Sequence, residues 1–308
     1  MEMFIEIECP LCNQKDYNII KKQKIDILDK NINFENIFKS ATKFKLIEQV
    51  VKCNNCSLVY LNPRVKEEYI LRGYKDSIDV DHSSQDDYRV RTFDKFLNIF
   101  ENKYKNILNS YKNFKVLDIG TASGSFLKSL KKKKWKGIGI EPNKKLSCDG
   151  SKKNNVEILN ENLRKNLFPN NCFSVVFFWD VFEHLSNPNE ALEISYDILN
   201  ENGLIMINFP NYNTIIAKVL GNYWPFWLSA HLCYYNKKTI SKILYNNNFK
   251  VLSFDNHWQT LSLEYVLDRA SAYFKFFKII NFLVKKLKLG NIPIKYYLGQ
   301  VQVIAQKK

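Results

Sequence analysis

Seven short apolar runs punctuate the chain beyond residue 115. They are Val116–Ile119, Gly137–Ile140, Val156–Leu159, Phe173–Trp179, Gly203–Phe209, about Lys250–Phe254 and Val301–Ala305. Each has strand length. Phe173–Trp179 is apolar almost throughout, as expected of a central parallel strand covered on both faces. Helices are predicted from Phe126 to about Lys133 and around Glu190 to Asn200, with Gly203 as the stop signal of the second. Seven strands with interleaved helices predict an α/β fold, a doubly wound, Rossmann-like seven-stranded sheet. Residues 1–64 have a different character, with strand-like stretches at Tyr17–Ile20 and Ile25–Leu28, and are read as a small separate domain. The sheet domain then spans 65–308. Two aromatic-rich stretches interrupt it, 211–236 and 261–297, and both are read as substrate-side insertions.

The first apolar run leads into Asp118-Ile119-Gly120-Thr121-Ala122-Ser123-Gly124-Ser125. A strand, a tight turn of small residues and a helix N-terminus form the local geometry that holds a nucleoside cofactor. Gly120 and Gly124 let the backbone bend and approach a ligand, because no Cβ intervenes. A nicotinamide or flavin site requires Gly-x-Gly-x-x-Gly, and counting from Gly120 the next two glycines are replaced by Ala122 and Ser125. That pattern also leaves Asp118 without a role. The second run ends in Glu141-Pro142. Glu141 follows the loop at about the spacing where an acid meets ribose hydroxyls, both of which a carboxylate can accept. Pro142 stops the strand, having no N–H for the ladder.

The spacing Asp118-x-Gly120-x-Ala122-x-Gly124 resembles the S-adenosylmethionine (SAM) loop of class I methyltransferases. Asp180-Val181-Phe182-Glu183-His184-Leu185-Ser186-Asn187-Pro188 is similar to the D-x-x-E-H-L-x-x-P segment found after strand four in many SAM-dependent O-, N- and C-methyltransferases. Those families usually carry an Asp where this chain has Ser174. The resemblance covers roughly residues 86–308 and implies a SAM site. It implies that Asp118, Gly120, Ala122, Ser123 and Gly124 form the cofactor loop, with Glu141 and Pro142 beside the ribose. Asn162 would contact the adenine, and Asp180 would lie at the cofactor edge.

Cys9-Pro10-Leu11-Cys12 and Cys53-Asn54-Asn55-Cys56 form two Cys-x-x-Cys knuckles. Four thiolates in two such pairs suit a tetrahedral zinc ion, and a closed four-sulfur site is structural, with no open position for substrate. The gap between the pairs exceeds that of compact ribbons. Disulfides are the rival reading. The odd total of seven cysteines and the lack of a secretory leader pattern in the chain count against it. Ser57-Leu58-Val59-Tyr60-Leu61-Asn62-Pro63-Arg64 is similar to the C-x-x-C-G-L-V-F-x-N-P-R-P segment of bacterial methyltransferases with an N-terminal zinc ribbon. Many of these are linked to sugar or surface-glycan modification. Ser57 replaces their usual glycine. Tyr74 matches a tyrosine that commonly follows the ribbon near the cofactor, and reads equally well as a core aromatic. The 211–236 insertion, with Gly221-Asn222-Tyr223-Trp224 and His231-Leu232-Cys233-Tyr234, also resembles these enzymes.

A methyl acceptor such as a sugar hydroxyl is a poor nucleophile until its proton begins to leave, and histidine is the natural base. His184, after strand four, and His231, in the expected lid, are the candidates. Asp180 could orient a histidine or take the proton itself. The expected acceptor is a hydroxyl on a sugar, nucleotide-sugar or glycan precursor. C-methylation of a nucleotide-linked keto-sugar is a close variant; the end of the chain soon after strand seven tilts the reading towards oxygen, because some ribbon-bearing C-methyltransferases carry a further C-terminal domain.

The formal charge of +15 keeps an RNA methyltransferase in view, since zinc ribbons also occur there. Most of the excess is dispersed lysine, and the densest run, Lys131–Lys134, closes a predicted helix, where cations suit the dipole. A non-catalytic SAM-binding protein is the remaining alternative. No run of 18 apolar residues occurs, so a spanning helix is not expected and the cytoplasm is the default location. Residues 270–288 interleave Phe and Ile with Lys, a pattern that fits either a packed helix or peripheral contact with the inner face of a membrane. Oligomeric state is not encoded legibly.

Overall fold

The computed structural model describes residues 3–22, 37–38, 46–76 and 84–308. The expected strand Ile25–Leu28 lies outside these residues. In chain order the first elements are β1 (Phe4–Ile5), β2 (Tyr17–Lys21), β3 (Val50–Cys53), β4 (Val59–Leu61), β5 (Arg64–Val65), α1 (Glu67–Asp76) and α2 (Asp86–Leu108). The main alternation follows as β6 (Lys115–Ile119), α3 (Ser125–Lys132), β7 (Lys136–Ile140), α4 (Lys144–Asn154), β8 (Glu157–Leu159), β9 (Phe173–Trp179), α5 (Pro188–Ile198) and β10 (Leu199–Pro210). The last part comprises α6 (Ile215–Leu220), β11 (Cys233–Tyr234), α7 (Lys237–Asn246), β12 (Phe249–Asn256), β13 (Gln259–Ser262), α8 (Leu263–Ser271), α9 (Phe276–Lys286), β14 (Pro293–Tyr296) and β15 (Gln300–Lys307).

Seven strands form one sheet in the order β12-β15-β10-β9-β6-β7-β8. β10, β9, β6, β7 and β8 run parallel, and β15 is antiparallel to both β10 and β12. The strand order reverses beside β6, so the ends of β6 and β9 flank the crevice where open α/β sheets bind ligands. All seven predicted strands are present.

The central strand β9 is buried along its whole length except at its last residue, Trp179. Phe177 and Trp179 pack in edge and tilted contacts with Phe96 and Phe126, from α2 and α3. Truncating such a side chain costs about 3–5 kcal/mol. α3 buries Phe126, Leu127 and Leu130 at helical spacing and leaves its lysines outward. Asparagines start three helices by accepting a backbone N–H: Asn143 for α4, Asn187 for α5 and Asn236 for α7.

Two expectations change. The helix expected to run to Asn200 ends at Ile198, and Gly203 is not its stop signal. Leu199 is already extended and pairs with Phe173, and the ladder is irregular between Leu199 and Leu204. Gly203 sits in that irregularity, where an added Cβ would approach the Asn200 carbonyl to 2.8 Å. The expected lid is also partly built into the N-terminal region. β11 pairs with β4, completing the four-stranded antiparallel sheet β11-β4-β3-β2.

Candidate functional site

The loop after β6 alternates left-handed positions: Gly120, Ala122 and Gly124 have φ of +68, +50 and +77°. Gly120 and Gly124 adopt this readily, whereas Ala122 carries strain there. Asp118 is 1 % exposed. Its Oδ2 accepts from the Thr121 hydroxyl at 2.5 Å, while its buried Oδ1 has no partner among the described residues. Burial pushes its pKa up to about 7. The far side of the loop rests on Asp86, at the start of α2. Asp86 accepts from Ser123 Oγ at 2.6 Å, Ser125 Oγ at 2.9 Å and Lys153 Nζ at 2.7 Å. Ser123 therefore anchors the loop through its side chain. Asp86 escaped the sequence reading because nothing local links it to a loop nearly forty residues on.

Glu141 follows β7 and is fully buried. One oxygen accepts from the Ala122 N–H at 2.9 Å and the Tyr74 hydroxyl at 3.3 Å; the other accepts from the Asn143 N–H at 2.8 Å. Burial also raises this carboxyl to about 7, against the pull of those donors. Tyr74 is thus brought to the acid predicted to bind ribose. The amide of Asn160 donates to the carbonyls of Glu141 and Pro142 at 2.9 and 3.0 Å, fixing the turn. Asn162 lies half-buried two residues further along. Asn160 has no local pattern that marks it in the sequence, and its role depends on the β7–β8 pairing.

Asp180 stands directly after β9 with φ +54°. Three amides from three strands hold its carboxylate: Asn208 at 2.5 Å and Gln300 at 2.6 Å on Oδ1, and Gln259 at 3.2 Å on Oδ2. Burial raises it to about 6, opposed by the Arg89 charge. Glu183, His184 and His231 converge, with one potential ligand atom from each lying within 4.8 Å of the others. The imidazole rings are 4.8 Å apart and inclined at 75°. His184 Nδ1 lies 2.7 Å from the Ala230 carbonyl oxygen, and His231 Nδ1 lies 2.8 Å from that of Phe226. A carbonyl oxygen can only accept, so each ring donates from Nδ1 and keeps its lone pair on Nε2. Burial lowers both pKa values, that of His184 to about 4, and the His184 charge lowers that of His231 further. Glu183 is held well above the usual carboxylate range by burial and by Asp180, and its Oε2 has no partner among the described residues. Asp180, expected to orient a histidine or take the proton itself, is held by the three amides, and Glu183 is the acid that shares the histidine cluster.

The four cysteines meet as predicted. Cys9 and Cys56 sulfurs are 3.4 Å apart, Cys12 and Cys53 sulfurs 3.5 Å, and all four lie within 4.8 Å of one another. Tetrahedral zinc with bonds near 2.3 Å places its sulfurs about 3.8 Å apart, so this donor set fits zinc. Each knuckle closes on a left-handed residue, Asn13 at φ +54° and Ser57 at φ +63°. That conformation explains why glycine is common at the second position. The knuckles are tied to the sheet domain, since Asn189 donates to the Pro10 carbonyl at 2.7 Å. Arg64 donates to the Ser186 carbonyl at 3.1 Å.

Lys131–Lys134 lies at the opposite edge of the sheet, just before β7 begins. Lys132 pairs with Asp94 at 2.7 Å, Lys133 with Glu101, and Lys131 donates to the Asn155 carbonyl. Two concavities of about 470 and 410 Å³ flank Trp135 at that same edge, away from the loop and the histidines.

Residues 85–254 match the family model described as a methyltransferase domain. No curated protein matches the chain. Among solved structures, similarity extends to a SAM-dependent methyltransferase from Archaeoglobus fulgidus, at 19 % identity over 70 % of this chain and 94 % of that one, TM-score 0.47. A putative methyltransferase from Bacillus halodurans gives 16 % identity over 67 % and 97 %, TM-score 0.48. A putative sarcosine dimethylglycine methyltransferase from Galdieria sulphuraria gives 13 % over 70 % and 85 %, TM-score 0.46. The family match runs from the start of α2 into β12, across more than half the chain and the whole crevice that carries the loop, Glu141 and the histidines, and the protein belongs to the methyltransferase-domain family.

Proposed function

We propose that the protein transfers the methyl group of SAM to an acceptor hydroxyl on a sugar, nucleotide-sugar or glycan precursor, with a histidine as general base. The observation that carries this reading is the His184–His231 pair, the first half-buried and the second buried. Both rings are neutral, and both are oriented by backbone carbonyls so that Nε2 is free to accept a proton. The cofactor supplies a methyl group already activated on a sulfonium. The chain's part is to bind, align and manage the acceptor proton. Alignment alone is worth roughly 7–11 kcal/mol of barrier.

The residues proposed to hold the cofactor are the Asp118–Gly124 loop, Glu141 with Pro142 at the ribose, Asn162 at the adenine, and Tyr74 and Asp180 at its rim. Asp118 Oδ1, buried without a donor, suits a ligand that brings one. Glu141 would exchange its long Tyr74 contact for ribose hydroxyls. Asp180, saturated by three amides, acts in this reading by holding the β9 turn and by its charge near Glu183. Zinc bound by Cys9, Cys12, Cys53 and Cys56 would hold the sheet that carries β11, two residues from His231.

The pairing of Lys131–Lys133 at the far edge supports a small or glycan acceptor over RNA. The test is incubation with methyl-labelled SAM and a panel of nucleotide sugars, glycan extracts and RNA. Label should enter the sugar or glycan fraction. His184→Ala and His231→Ala should lower the transfer rate by about 10²–10⁴ with SAM affinity unchanged. Label in RNA alone, or full turnover in both variants, overturns the reading.

A further inference from the structure

Helix α9 is turned inside out relative to an ordinary surface helix. Its one fully buried residue is the polar Asn281, 8 % exposed, on the side facing α8. Phe276, Ile279, Ile280, Phe282, Leu283 and the following Leu287 form one broad apolar stripe that faces outward. Phe276, Ile279 and Leu283 are 56, 67 and 50 % exposed. Water contact on that scale along one stripe marks a surface that another phase or molecule covers. At about 100° per residue Lys286 falls between Ile279 and Phe282, and Lys278 and Lys285 lie further round on that same side, all exposed. Glu264 of α8 pairs with Lys285 at 3.0 Å.

The surface continues beyond the helix. Phe274 stacks on Tyr223 at 5.4 Å. Tyr223 follows α6, whose Ile215 and Val219 are exposed as well. α6 begins five residues after β10 ends, so this end of the surface borders the C-terminal edge of the sheet, where the loop and the histidines lie.

We infer that α9 and α6 together dock the protein on an anionic lipid surface, with the open edge of the sheet beside the bilayer. Apolar side chains bordered along one edge by lysines match the acyl–headgroup boundary of such a surface: the stripe enters the boundary and the ammonium groups reach lipid phosphates. A second copy of the chain is the poorer occupant, because face-to-face packing would set the lysines of one helix against those of the other in a protein of charge +15. At 11 residues α9 lies in the interface plane, and no helix among the described residues is long and apolar enough to cross a membrane. Docking does not depend on the proposed acceptor. With that reading it implies an acceptor presented at the membrane.

The test uses the full chain and flotation with vesicles of phosphatidylcholine alone or mixed with phosphatidylglycerol. The protein should float with the mixed vesicles and detach at high salt. Phe276→Ser/Phe282→Ser and, separately, Lys278→Glu/Lys286→Glu should each weaken partitioning by about tenfold or more. All four positions are exposed, so the thermal unfolding midpoint and SAM affinity should not change. Protein left in solution with both vesicle types overturns the inference. So does equal flotation on both compositions, or a dimer in light scattering that the phenylalanine variant dissolves. Failure to bind SAM would sink the proposed methyl transfer and leave the docking result standing.

Discussion

Gly120→Ala tests whether the loop after β6 is held in shape by the segment after β9. Gly120 sits at φ +68°, and an added Cβ would lie 2.5 Å from Val181 Cγ2 and 3.3 Å from Cγ1. Two costs arise. A left-handed alanine costs about 1–2 kcal/mol, and forcing a methyl into occupied space costs about 1–3 kcal/mol. The smaller entropy of the unfolded alanine chain returns about 0.4–1 kcal/mol. The net expectation is about 2–4 kcal/mol of destabilisation. Val181→Ala removes both clashing methyls and leaves the backbone strain in place. In a double-mutant cycle read by urea denaturation, the two substitutions should therefore couple favourably by about 1–3 kcal/mol, and the double variant should stay below Val181→Ala by the strain alone. Gly124→Ala is the comparison, because its nearest neighbours at 2.9 Å are the ends of Ile158 and Val156 side chains. Gly120→Ala with wild-type stability, or additivity with Val181→Ala, would refute the argument.

Two further expectations concern pH and metal. Asp118 and Glu141 are both pushed up to about 7 by burial, so the folded protein keeps protons that the unfolded chain has released by pH 5 to 6. Stability must then fall as pH rises towards 7 and slightly beyond. The buried histidines 184, 231 and 257 act with the opposite sign, but only below about pH 6.5. The urea midpoint of the ligand-free protein should drop from pH 6.5 to 8, and Asp118→Asn should flatten that drop; a midpoint that rises over this range would contradict the assignment. Chelation of one zinc per chain, or Cys53→Ser, should loosen the β11-β4-β3-β2 sheet and abolish methyl transfer, because β11 positions the segment of His231. Zinc analysis with an activity assay checks this, and full turnover in zinc-free protein would be decisive against it.

The legible part of the site was the part written in contiguous residues. Asp118 to Gly124, Glu141-Pro142 and Asp180 to His184 each sit at a strand end, and strand ends follow from apolar run length. The cysteine pairs could be read because each Cys-x-x-Cys is a short, contiguous spacing. What escaped were partners distant along the chain. Asp86 under the loop, Asn160 behind Glu141 and the three amides around Asp180 are polar residues with no local pattern to distinguish them from a solvated surface. Both Asp180 and Glu183 are buried in one short segment, and only its backbone path decides that Asp180 meets the three amides and Glu183 the histidines.

By itself the sequence determined the strands, their cofactor-type turn, the thiolate cluster and the family, all of which depend on periodicity and short spacings. The tertiary structure decided how the two regions join. It placed β11 in the N-terminal sheet, brought His231 within reach of His184 and left the apolar stripe of α9 facing outward. The same run of Phe, Ile and Lys is compatible with a buried or an exposed helix, because hydrophobic periodicity names a face without naming what it touches. That choice rests on contacts between elements far apart in the chain, which local propensity does not carry.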